Sequence, residues 1–357
     1  MTNPLNQNNS SEIISVEDLY KNFGPLKAVN HISFKVKKGE IFGFLGPNGA
    51  GKSTTINILC TLMKPTSGRV LIDGYDLVKQ PQAVRHLIGL VFQEIILDSH
   101  LTAEENLYFH AMLYGMKQKD FILKKREVLT LCELWEKRKW KTSSFSGGMK
   151  RRLEIARALV HSPKILFLDE PTIGLDPQTR NKIWDYIFTV RKEKKMTVFL
   201  TTQYINEAEI CDRIAIIDEG QIVALDSPEN LKKMIGGEVI IFRTVDNDLA
   251  EKEFKKSFPE IPLKRVGGSF RIETNNGDEF LPALIKTITP RITSMELRKP
   301  TLEDVFLEIT GRRIRESETE EKDHLINLDS ILEFLNPFGP IFPQNNSAEE
   351  KNENNKT

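Results

Sequence analysis

Residues Ile41–Ser53 read IFGFLGPNGAGKS, a short apolar run followed by a glycine-rich loop. The loop fits the phosphate-binding pattern G-x-x-x-x-G-K-[ST], and the helical run Thr54–Leu62 follows it directly. Glycines allow consecutive backbone N–H groups to turn inward around a phosphate, and a helix N-terminus adds partial positive charge. A strand, this loop and a helix in that order predict an α/β fold that binds a nucleotide through its phosphates.

The two residues that end the loop have separate chemical tasks in such a site. Lys52 would reach the β and γ phosphates of a nucleoside triphosphate, and the Ser53 hydroxyl would ligate Mg²⁺. A glycine turn without a ligand is the alternative, and the strand and helix on either side of the loop disfavour it. The predicted nucleotide contacts are Gly46, Pro47, Asn48, Gly49, Ala50, Gly51, Lys52, Ser53 and Thr54.

Short apolar runs alternate with helical patterns across the first two thirds of the chain. The runs Ile165–Leu168, Thr197–Thr201 and Ile214–Ile217 end at polar or turn residues, as strands buried on both faces do. They predict a mixed sheet that is at least partly parallel, with helices on both faces.

Between about Ile95 and Ser144 the strand patterns stop. Leu101–Gly115 and Asp120–Trp140 have patterns typical of helices. The sequence therefore predicts a helical subdomain at about 95–160, inserted into the α/β core.

The run Ile165–Leu168 ends in two neighbouring carboxylates, Asp169 and Glu170. An Asp at the tip of such a strand can hold Mg²⁺, and the next carboxylate can orient or deprotonate an attacking water. Two adjacent carboxylates repel each other, so the pair requires a cation nearby. An ordinary acidic turn is the alternative, but together with the phosphate loop the pair predicts a hydrolytic site.

A second glycine-containing segment precedes the acidic strand, and Phe145–Leu153 reads FSGGMKRRL. Ser146, Gly147 and Gly148 lie at the start of a helix that is predicted to continue to Val160. A hydroxyl, two bare glycine amides and a helix dipole together predict a second anion-binding site.

With this segment, the chain resembles the ATP-binding-cassette (ABC) ATPases over Ile13–Asp226, in the order and spacing of their motifs. The segment is similar to the LSGGQ signature of the family, with Phe145 and Met149 at the outer positions. The resemblance implies a P-loop NTPase core that binds ATP and Mg²⁺ and hydrolyses ATP. In that core Asp169 would hold the metal, and Glu170 would be the catalytic carboxylate.

Three further residues acquire roles from the resemblance. Gln93, in the sequence VFQE, matches the Q-loop glutamine, which contacts the metal and takes part in hydrolysis. Asp176, in the sequence GLDP, matches the nucleotide-binding D-loop. Tyr20 matches the aromatic residue that stacks on adenine. An aromatic at a strand edge is the alternative for Tyr20, and Phe23 could share its role.

One position departs from the family pattern. Where the family usually has a His that contacts the γ-phosphate, this chain has Gln203, in the sequence TTQY. Gln203 can donate a hydrogen bond from its amide but cannot carry a proton or a charge. We therefore expect retained nucleotide binding and slower hydrolysis, with Gln203 in the catalytic set and Glu170 intact.

One phosphate loop and one signature in a single chain imply a pair of subunits. In the family that this chain resembles, each ATP lies between the phosphate loop of one subunit and the signature of the other. The resemblance therefore implies a second ATPase subunit, in a homodimer or a heterodimer.

The chain has no apolar run near the roughly 20 residues that span a bilayer. The resemblance then implies a separate integral membrane permease, and a cytoplasmic location, peripheral on the inner face of the cell membrane. The permease is expected to dock on Glu94–Asn106, through Ile95, Ile96, Leu97 and Leu101. A local core within the helical subdomain is the alternative for these residues.

A different pattern predicts a small accessory α+β domain at 236–311. Its predicted elements are the strands Val239–Val245, Ser269–Thr274 and Ile292–Leu297 and the helices Leu249–Ser257 and Asp278–Thr287. A last helix is predicted to begin at Thr301, with Asp304 as its capping partner. Pro300–Gly311 resembles the end of the daunorubicin-resistance-type ATPases, which implies an ABC-2-type exporter of drugs, lipids or polysaccharides.

The two ends of the chain have compositions typical of disorder. Residues 1–12 are rich in Asn and Ser, and 312–357 are mostly charged or polar. Within the second segment, Leu325–Leu335 has helical spacing and predicts a short conditional helix. These bounds leave 13–235 for the ATPase domain.

The composition of the 357 residues narrows the functions further. Fifty Lys and Arg balance 50 Asp and Glu, which argues against a polycation, so no nucleic-acid partner is expected. Cys60, Cys132 and Cys211 are widely spaced, which predicts buried thiols in a reducing compartment and no zinc site. The predicted function is the ATP-hydrolysing subunit of an exporter. A soluble ABC protein of DNA repair or translation, and a regulatory or binding ATPase with weak turnover, are the alternatives.

Overall fold

The computed structural model describes residues 11–235 and 237–311. Its strands are, in chain order, β1 (Glu12–Phe23), β2 (Leu26–Lys37), β3 (Ile41–Leu45), β4 (Ser67–Ile72), β5 (Tyr75–Asp76), β6 (Ile88–Val91), β7 (Ile165–Asp169), β8 (Thr197–Thr202), β9 (Arg213–Asp218), β10 (Gln221–Asp226), β11 (Glu238–Thr244), β12 (Leu263–Val266), β13 (Ser269–Thr274) and β14 (Ile292–Arg298). Its α-helices are α1 (Lys52–Leu59), α2 (Pro81–Leu87), α3 (Ala103–Leu113), α4 (Gln118–Leu131), α5 (Gly147–Leu159), α6 (Pro177–Lys194), α7 (Ile205–Ala208), α8 (Pro228–Lys233), α9 (Asn247–Ser257), α10 (Gly277–Thr287) and α11 (Leu302–Thr310).

A six-stranded sheet in the order β10-β9-β3-β8-β7-β6 forms the centre of residues 13–235, the predicted ATPase domain or cassette. Its strands pair in parallel except at β10, which confirms the predicted mixed sheet. Leu168 of β7 lies opposite Leu200 of β8 and Val91 of β6, and Leu45 of β3 lies opposite Thr202. The carboxyl ends of these strands therefore meet at one edge, where the loops with the predicted site residues begin.

An antiparallel sheet in the order β2-β1-β4-β5 covers one face of the central sheet together with α1. Phe34 of β2 packs on Phe42, Phe44 and Phe199, with ring centroids 5.1 to 6.1 Å away. Helices α5 and α6 cover the other face, so helices lie on both faces as predicted. The antiparallel sheet itself was not predicted, because register shifts along β1 disrupt the alternation that marks a strand.

The helical subdomain lies between β6 and β7 and contains α3, α4 and the start of α5. The single helix predicted over Asp120–Trp140 is wrong in its second half, since α4 ends earlier. Glu133 adopts a left-handed φ of 53°, and the Leu134 N–H donates to the Leu129 carbonyl at 2.8 Å. This arrangement closes the helix, as a C-terminal glycine usually does, and a turn of 3-10 helix, Trp135–Lys137, follows.

Two other helices depart by a few residues from their predicted bounds. The run predicted as Thr54–Leu62 forms α1, which begins earlier and ends before Thr61, where φ is 62°. The run predicted as Leu101–Gly115 forms α3, whose start is set by a reciprocal capping box between Thr102 and Glu105.

The three cysteines are buried thiols, as the sequence predicts. They pack in the apolar cores on the two faces of the central sheet. Burial raises the pKa of Cys132 to about 12 and raises that of Cys211 as well. Neither thiol therefore ionises near neutral pH, which is typical of cysteines that serve as small apolar side chains.

The accessory domain is an antiparallel sheet in the order β12-β13-β11-β14 with α9 and α10 on one face. The five strands and helices predicted before its last helix are confirmed to within two residues at each end. Strand β12 was not predicted, because it has 4 residues and no fully buried side chain.

The last helix of the described chain joins the accessory domain to the cassette. Helix α11 has the predicted capping box of Thr301 and Asp304. Its apolar face is buried in the same core as Ala208 of α7 and Leu231 of α8, a core that belongs to the cassette. Helix α11 therefore completes the cassette as well as ending the accessory domain. The side chains that it contributes are Leu302, Val305 and Phe306.

Some sequence predictions lie outside the described residues. Of the segment 1–12, the structure describes Ser11 and Glu12, and Glu12 already belongs to β1. The segment 312–357, with its conditional helix at Leu325–Leu335, lies outside the described ranges. In the part of the chain that is described, no helix is long and apolar enough to cross a bilayer.

Candidate nucleotide site

The phosphate loop connects β3 to α1, and two of its positions have no room for a side chain. Gly51 has a φ of 101°, and a Cβ atom there would overlap the carbonyl oxygen of Ala28. At Gly46, a Cβ atom would overlap the carbonyl oxygen of Ile217. As the N-cap of α1, Gly51 has no side chain that could cap the helix, so its first-turn N–H groups are left for an anion.

Lys52 lies buried at the start of α1, with 4% of its surface exposed. Its Nζ atom donates to the carbonyls of Gly46 at 2.9 Å and Pro47 at 3.0 Å, and it lies 3.4 Å from Oε1 of Glu170. Burial lowers the pKa of Lys52, and the charges of Glu170 and Asp169 counteract this shift. The ammonium group is therefore held between the loop and the acidic pair.

The acidic pair lies at the end of β7, directly beside the phosphate loop. Asp169 accepts hydrogen bonds at Oδ1 from the hydroxyls of Thr201 and Ser53, the latter at 3.4 Å. Burial raises the pKa of both Asp169 and Glu170, and the Lys52 charge opposes that shift. The hydroxyl and carboxylate oxygens of Ser53 and Asp169 are hard donors of the kind that Mg²⁺ prefers, so the residues present fit that ion.

Glu170 adopts a backbone conformation that is rare for a residue with a side chain. Its φ is 44°, in the left-handed region, where a non-glycine residue costs roughly 1–2 kcal/mol. The Glu170 N–H donates to both the carbonyl and the hydroxyl of Thr201 at 3.2 Å. The surrounding structure thus maintains a strained backbone at the residue predicted to be catalytic.

The two predicted glutamines lie beyond the ends of strands that flank the acidic pair. Gln93 follows β6 and is exposed. Gln203 follows β8 and is 3% exposed, and its Oε1 atom has no hydrogen-bond partner among the described residues. A buried acceptor without a donor is costly, so Oε1 of Gln203 has room for a hydrogen bond from a further donor.

Glu207, a buried carboxylate on α7, was not predicted from the sequence. Glu207 accepts hydrogen bonds from the hydroxyl of Thr172, beside the acidic pair, and from that of Thr202 at 2.6 Å. It therefore ties the loop after β7 to the loop that carries Gln203. The one available signal in the sequence was its position, four residues after Gln203.

The signature segment packs against the D-loop and the start of α6. The Ser146 hydroxyl accepts from the Met149 N–H at 3.3 Å and so caps α5. A Cβ atom at Gly148 would overlap the Thr179 side chain, which gives this glycine a packing role as well. Asp176 caps α6 by accepting from the Thr179 N–H at 3.0 Å, and its hydrogen bonds with Thr179 lower the pKa of its carboxyl. Gly147 and Gly148 thus lie against Leu175 and Thr179, whereas the phosphate loop lies against Ala28, Ile217 and Asp169.

Tyr20 lies at the end of β1, with its ring stacked on His31 of β2. The two ring centroids are 4.8 Å apart and the planes are inclined by 20°. His31 in turn bonds to Asp18 through Nδ1 at 2.8 Å. Phe23, the other aromatic considered for this role, is 46% exposed, and Lys21 Nζ lies 5.2 Å from its ring centroid.

The fold and the site together define a nucleotide-binding cassette with a phosphate loop, an acidic strand end and a separate signature. A family model described as ABC transporter matches residues 29–173. A second model, described as the C-terminal domain of DrrA1-3-like ATP-binding proteins, matches residues 227–310.

Two known relatives match over nearly their whole length. The chain is 38% identical over 312 residues to the linearmycin resistance ATP-binding protein LnrL of Bacillus subtilis, covering 85% of this chain and 100% of LnrL. It is 33% identical over 325 residues to the daunorubicin resistance ATP-binding protein DrrA2 of Streptomyces coeruleorubidus, covering 86% and 98% of the two chains. The chain therefore belongs to the ABC transporter family, as an ATP-binding and ATP-hydrolysing subunit.

Solved structures support the same assignment. The cbiO1 protein of Clostridium perfringens, part of the ABC transporter complex cbiONQ, has a TM-score of 0.59 and 28% identity, covering 70% of this chain and 97% of cbiO1. A dimeric ATP-binding cassette in a post-hydrolysis state with ADP and Pi has a TM-score of 0.54 and 31% identity, covering 60% and 98% of the two chains. Cassettes of this family work as dimers with membrane permeases.

Proposed function

We propose that this chain hydrolyses ATP, bound with Mg²⁺, to power export through a separate integral membrane permease. The observation that carries the proposal is the meeting of Lys52, Ser53, Asp169 and Glu170 at one edge of the central sheet, with 3.4 Å between Lys52 Nζ and Glu170 Oε1. The names of LnrL and DrrA2 refer to resistance to linearmycin and to daunorubicin, which supports a drug-like substrate and an ABC-2-type exporter.

Each residue of the phosphate-binding edge has a defined part in this proposal. The backbone N–H groups of the loop and Lys52 bind the β and γ phosphates. Ser53, Asp169 and Gln93 hold Mg²⁺, which when bound supplies positive charge to the phosphate oxygens. Tyr20 stacks on adenine, with His31 behind its ring.

Glu170 is the proposed general base, which orients the attacking water and takes its proton. Its burial raises the pKa of the carboxyl and so makes the carboxylate a stronger base at neutral pH. Gln203 donates its amide hydrogen to the γ-phosphate but carries no charge, so hydrolysis is slower than a His at that position would support. The same feature favours a second candidate function, a regulatory or binding ATPase with weak turnover.

The second anion site is proposed to act on the ATP of a second subunit. Ser146, Gly147 and Gly148 begin α5, and Ser146 and Gly147 are exposed. They are accessible to a nucleotide held by a partner subunit, with Asp176 of the D-loop alongside. ATP then binds the two subunits together, and its hydrolysis lets them separate.

The permease is proposed to dock on the helical subdomain and to hold the chain at the inner face of the cell membrane. Of the apolar residues in the predicted docking segment, Leu97 packs against the core around α3 to α6, and Ile96 packs against the core of the other face. Ile95 is exposed, as are Tyr108 and Phe109 on the neighbouring helix α3. These three exposed side chains form the proposed docking surface.

Hydrolysis is tested by comparing the wild type with Glu170→Gln and with the neutral control Glu209→Gln. Loss of the general base should lower kcat by about 100-fold or more while ATP still binds. The Glu209→Gln variant should match the wild type. Equal rates for all three proteins, at the low level of a contaminant, would favour the binding ATPase instead.

Coupling to a permease is tested by purifying the chain with a candidate membrane partner. We expect the two proteins to co-purify and the partner to change the ATPase rate. Replacing Ile95 and Phe109 by serine should weaken co-purification without affecting ATP binding. Unchanged co-purification of this double variant would contradict the proposed docking surface.

A further inference from the structure

Arg151, in the first turns of α5, is a buried cation whose side chain reaches two different loops. Its Nε atom donates to the carbonyl of Pro171 at 2.7 Å, and Nη2 donates to that of Glu170 at 3.2 Å. Nη2 also donates to the carbonyl of Gln93 at 3.1 Å, and Nη1 donates to that of Phe92. One guanidinium group thus binds the Q-loop on one side and the segment around Glu170 on the other.

The way in which two strands of the central sheet end explains why a buried cation is needed here. Strands β6 and β7 are adjacent and parallel, and their described pairing ends at Val91 and Leu168. The carbonyls of the buried residues Phe92 and Glu170 come after this pairing has ended, so other donors have to satisfy them. A planar guanidinium carries five N–H donors on three nitrogens and reaches four carbonyls of two diverging loops, whereas a lysine has three donors on a single nitrogen.

The buried carboxylate of Glu154 in turn holds the Arg151 side chain in place. Glu154, one turn along α5, lies 3.0 Å from Nη1 of Arg151 and is fully buried. Glu154 also accepts from the N–H of Ile96 at 2.9 Å, and Arg157 donates to the carbonyl of Ile96 at 2.8 Å. The helix that begins with the signature therefore holds this loop at Phe92, Gln93 and Ile96.

The hydrogen bond from Arg151 to the carbonyl of Glu170 helps to hold the left-handed backbone of that residue. Thr201 accepts a hydrogen bond from the N–H of Glu170, and Arg151 donates one to its carbonyl. Between them they maintain the left-handed φ of 44° that places the carboxylate near Lys52. Without Arg151, the peptide after Glu170 could rotate toward an ordinary conformation and carry the carboxylate away from the phosphate site.

We propose that Arg151 is a positioning residue for ATP hydrolysis, which sets the Glu170 carboxylate and the Q-loop relative to each other. The inference rests on the proposed role of Glu170 as general base. Arg151 does not touch the nucleotide in this proposal and acts through the backbone of the two loops. It also links the signature helix, which contacts a partner subunit's ATP, to the base that acts on the chain's own ATP.

The test compares Arg151→Gln and Arg151→Lys with Arg152→Gln. Arg152 is the next residue on α5 and points elsewhere, toward Glu133 at 3.1 Å and the carbonyl of Cys132 at 3.4 Å. Misplacing a reacting group by about 1 Å costs on the order of 100-fold in rate, so kcat of Arg151→Gln should fall by that order. The KM for ATP should change little, and Arg152→Gln should keep the wild-type kcat.

The Arg151→Lys variant separates a loss of positioning from a loss of folding, because it keeps a positive charge beside Glu154. It should bind ATP normally and show an intermediate loss of kcat, roughly tenfold, since its single nitrogen replaces only some of the four carbonyl contacts of Arg151. If Arg151→Gln, Arg151→Lys and Arg152→Gln share one kcat, or if Arg151→Lys loses ATP binding together with kcat, the proposal is overturned.

A double variant separates this proposal from the role of Glu170. If Arg151 acts through Glu170, Arg151→Gln should lower kcat only slightly further in a Glu170→Gln background. Additive losses would show an independent structural effect and overturn the positioning role. A Glu170→Gln variant that hydrolyses ATP like the wild type would instead overturn the general-base proposal itself, whatever Arg151→Gln does.

Discussion

Replacing Gly51 by alanine tests how closely the phosphate loop packs against the backbone of Ala28. Two effects coincide at this position, since φ is 101° and a Cβ atom would overlap the backbone of Ala28. Two other glycines of the loop each show one of these two effects without the other. Gly49 has a φ of 79° and open space where a Cβ atom would lie, and Gly46 has the overlap with Ile217 without a positive φ.

The magnitudes follow from these differences. A left-handed conformation costs a non-glycine residue roughly 1–2 kcal/mol, which is the expected loss of stability for Gly49→Ala. Overlap with rigid backbone costs about 1–3 kcal/mol, which is the expectation for Gly46→Ala. Gly51→Ala combines both, so its loss should be about 2–5 kcal/mol.

Thermal unfolding in the absence of nucleotide measures these losses of stability, because the melting midpoint does not depend on nucleotide binding or catalysis under that condition. For a cassette of this size each kcal/mol corresponds to a shift of about 2–4 °C in the melting midpoint. The midpoint should therefore fall least for Gly49→Ala and most for Gly51→Ala. If Gly51→Ala is no less stable than Gly49→Ala, the close packing of the loop against Ala28 is refuted.

Three further outcomes are expected. Burial lowers the pKa of His161 to about 4, below its value near 6.5 in the unfolded chain. The unfolded protein therefore binds more protons between these values, and stability should fall by up to about 3 kcal/mol as the pH drops through them. Melting midpoints of the wild type should show this fall more strongly than those of His161→Gln. Glu207→Ala leaves the hydroxyls of Thr172 and Thr202 without their acceptor, so chemical denaturation should show a loss of about 1–3 kcal/mol. Gln203→His should raise kcat in a steady-state ATPase assay, and an unchanged or lower kcat would contradict the interpretation of Gln203 as a weaker γ-phosphate contact.

The phosphate loop and the acidic pair could be predicted from the sequence because their chemistry is local. Each depends on a few consecutive residues whose types and order allow little else, as at Gly51-Lys52-Ser53 and Asp169-Glu170. Their mutual distance could also be anticipated, since the carboxyl ends of parallel strands meet at one edge. The roles assigned to these residues remain predictions until nucleotide binding and hydrolysis are measured.

Other features depend on contacts between residues far apart in the chain and gave no local pattern. Arg151 looks like one of three adjacent basic residues in the sequence, and only the structure shows that its partners lie 58 to 59 residues earlier and 19 to 20 residues later. The end of α4 was missed because Glu133 adopts a left-handed conformation that favours glycine. The antiparallel sheet was missed because its bulges break the alternation along β1.

The position of α11 has a consequence for how the protein is made. Its residues Leu302, Val305 and Phe306 complete a core that also contains Ala208 and Leu231, which the ribosome synthesises roughly 70 to 100 residues earlier. A growing chain that has reached the end of the cassette therefore still exposes part of its apolar interior. We expect nascent chains that stop before α11 to recruit chaperones, and extension through Thr310 to release them.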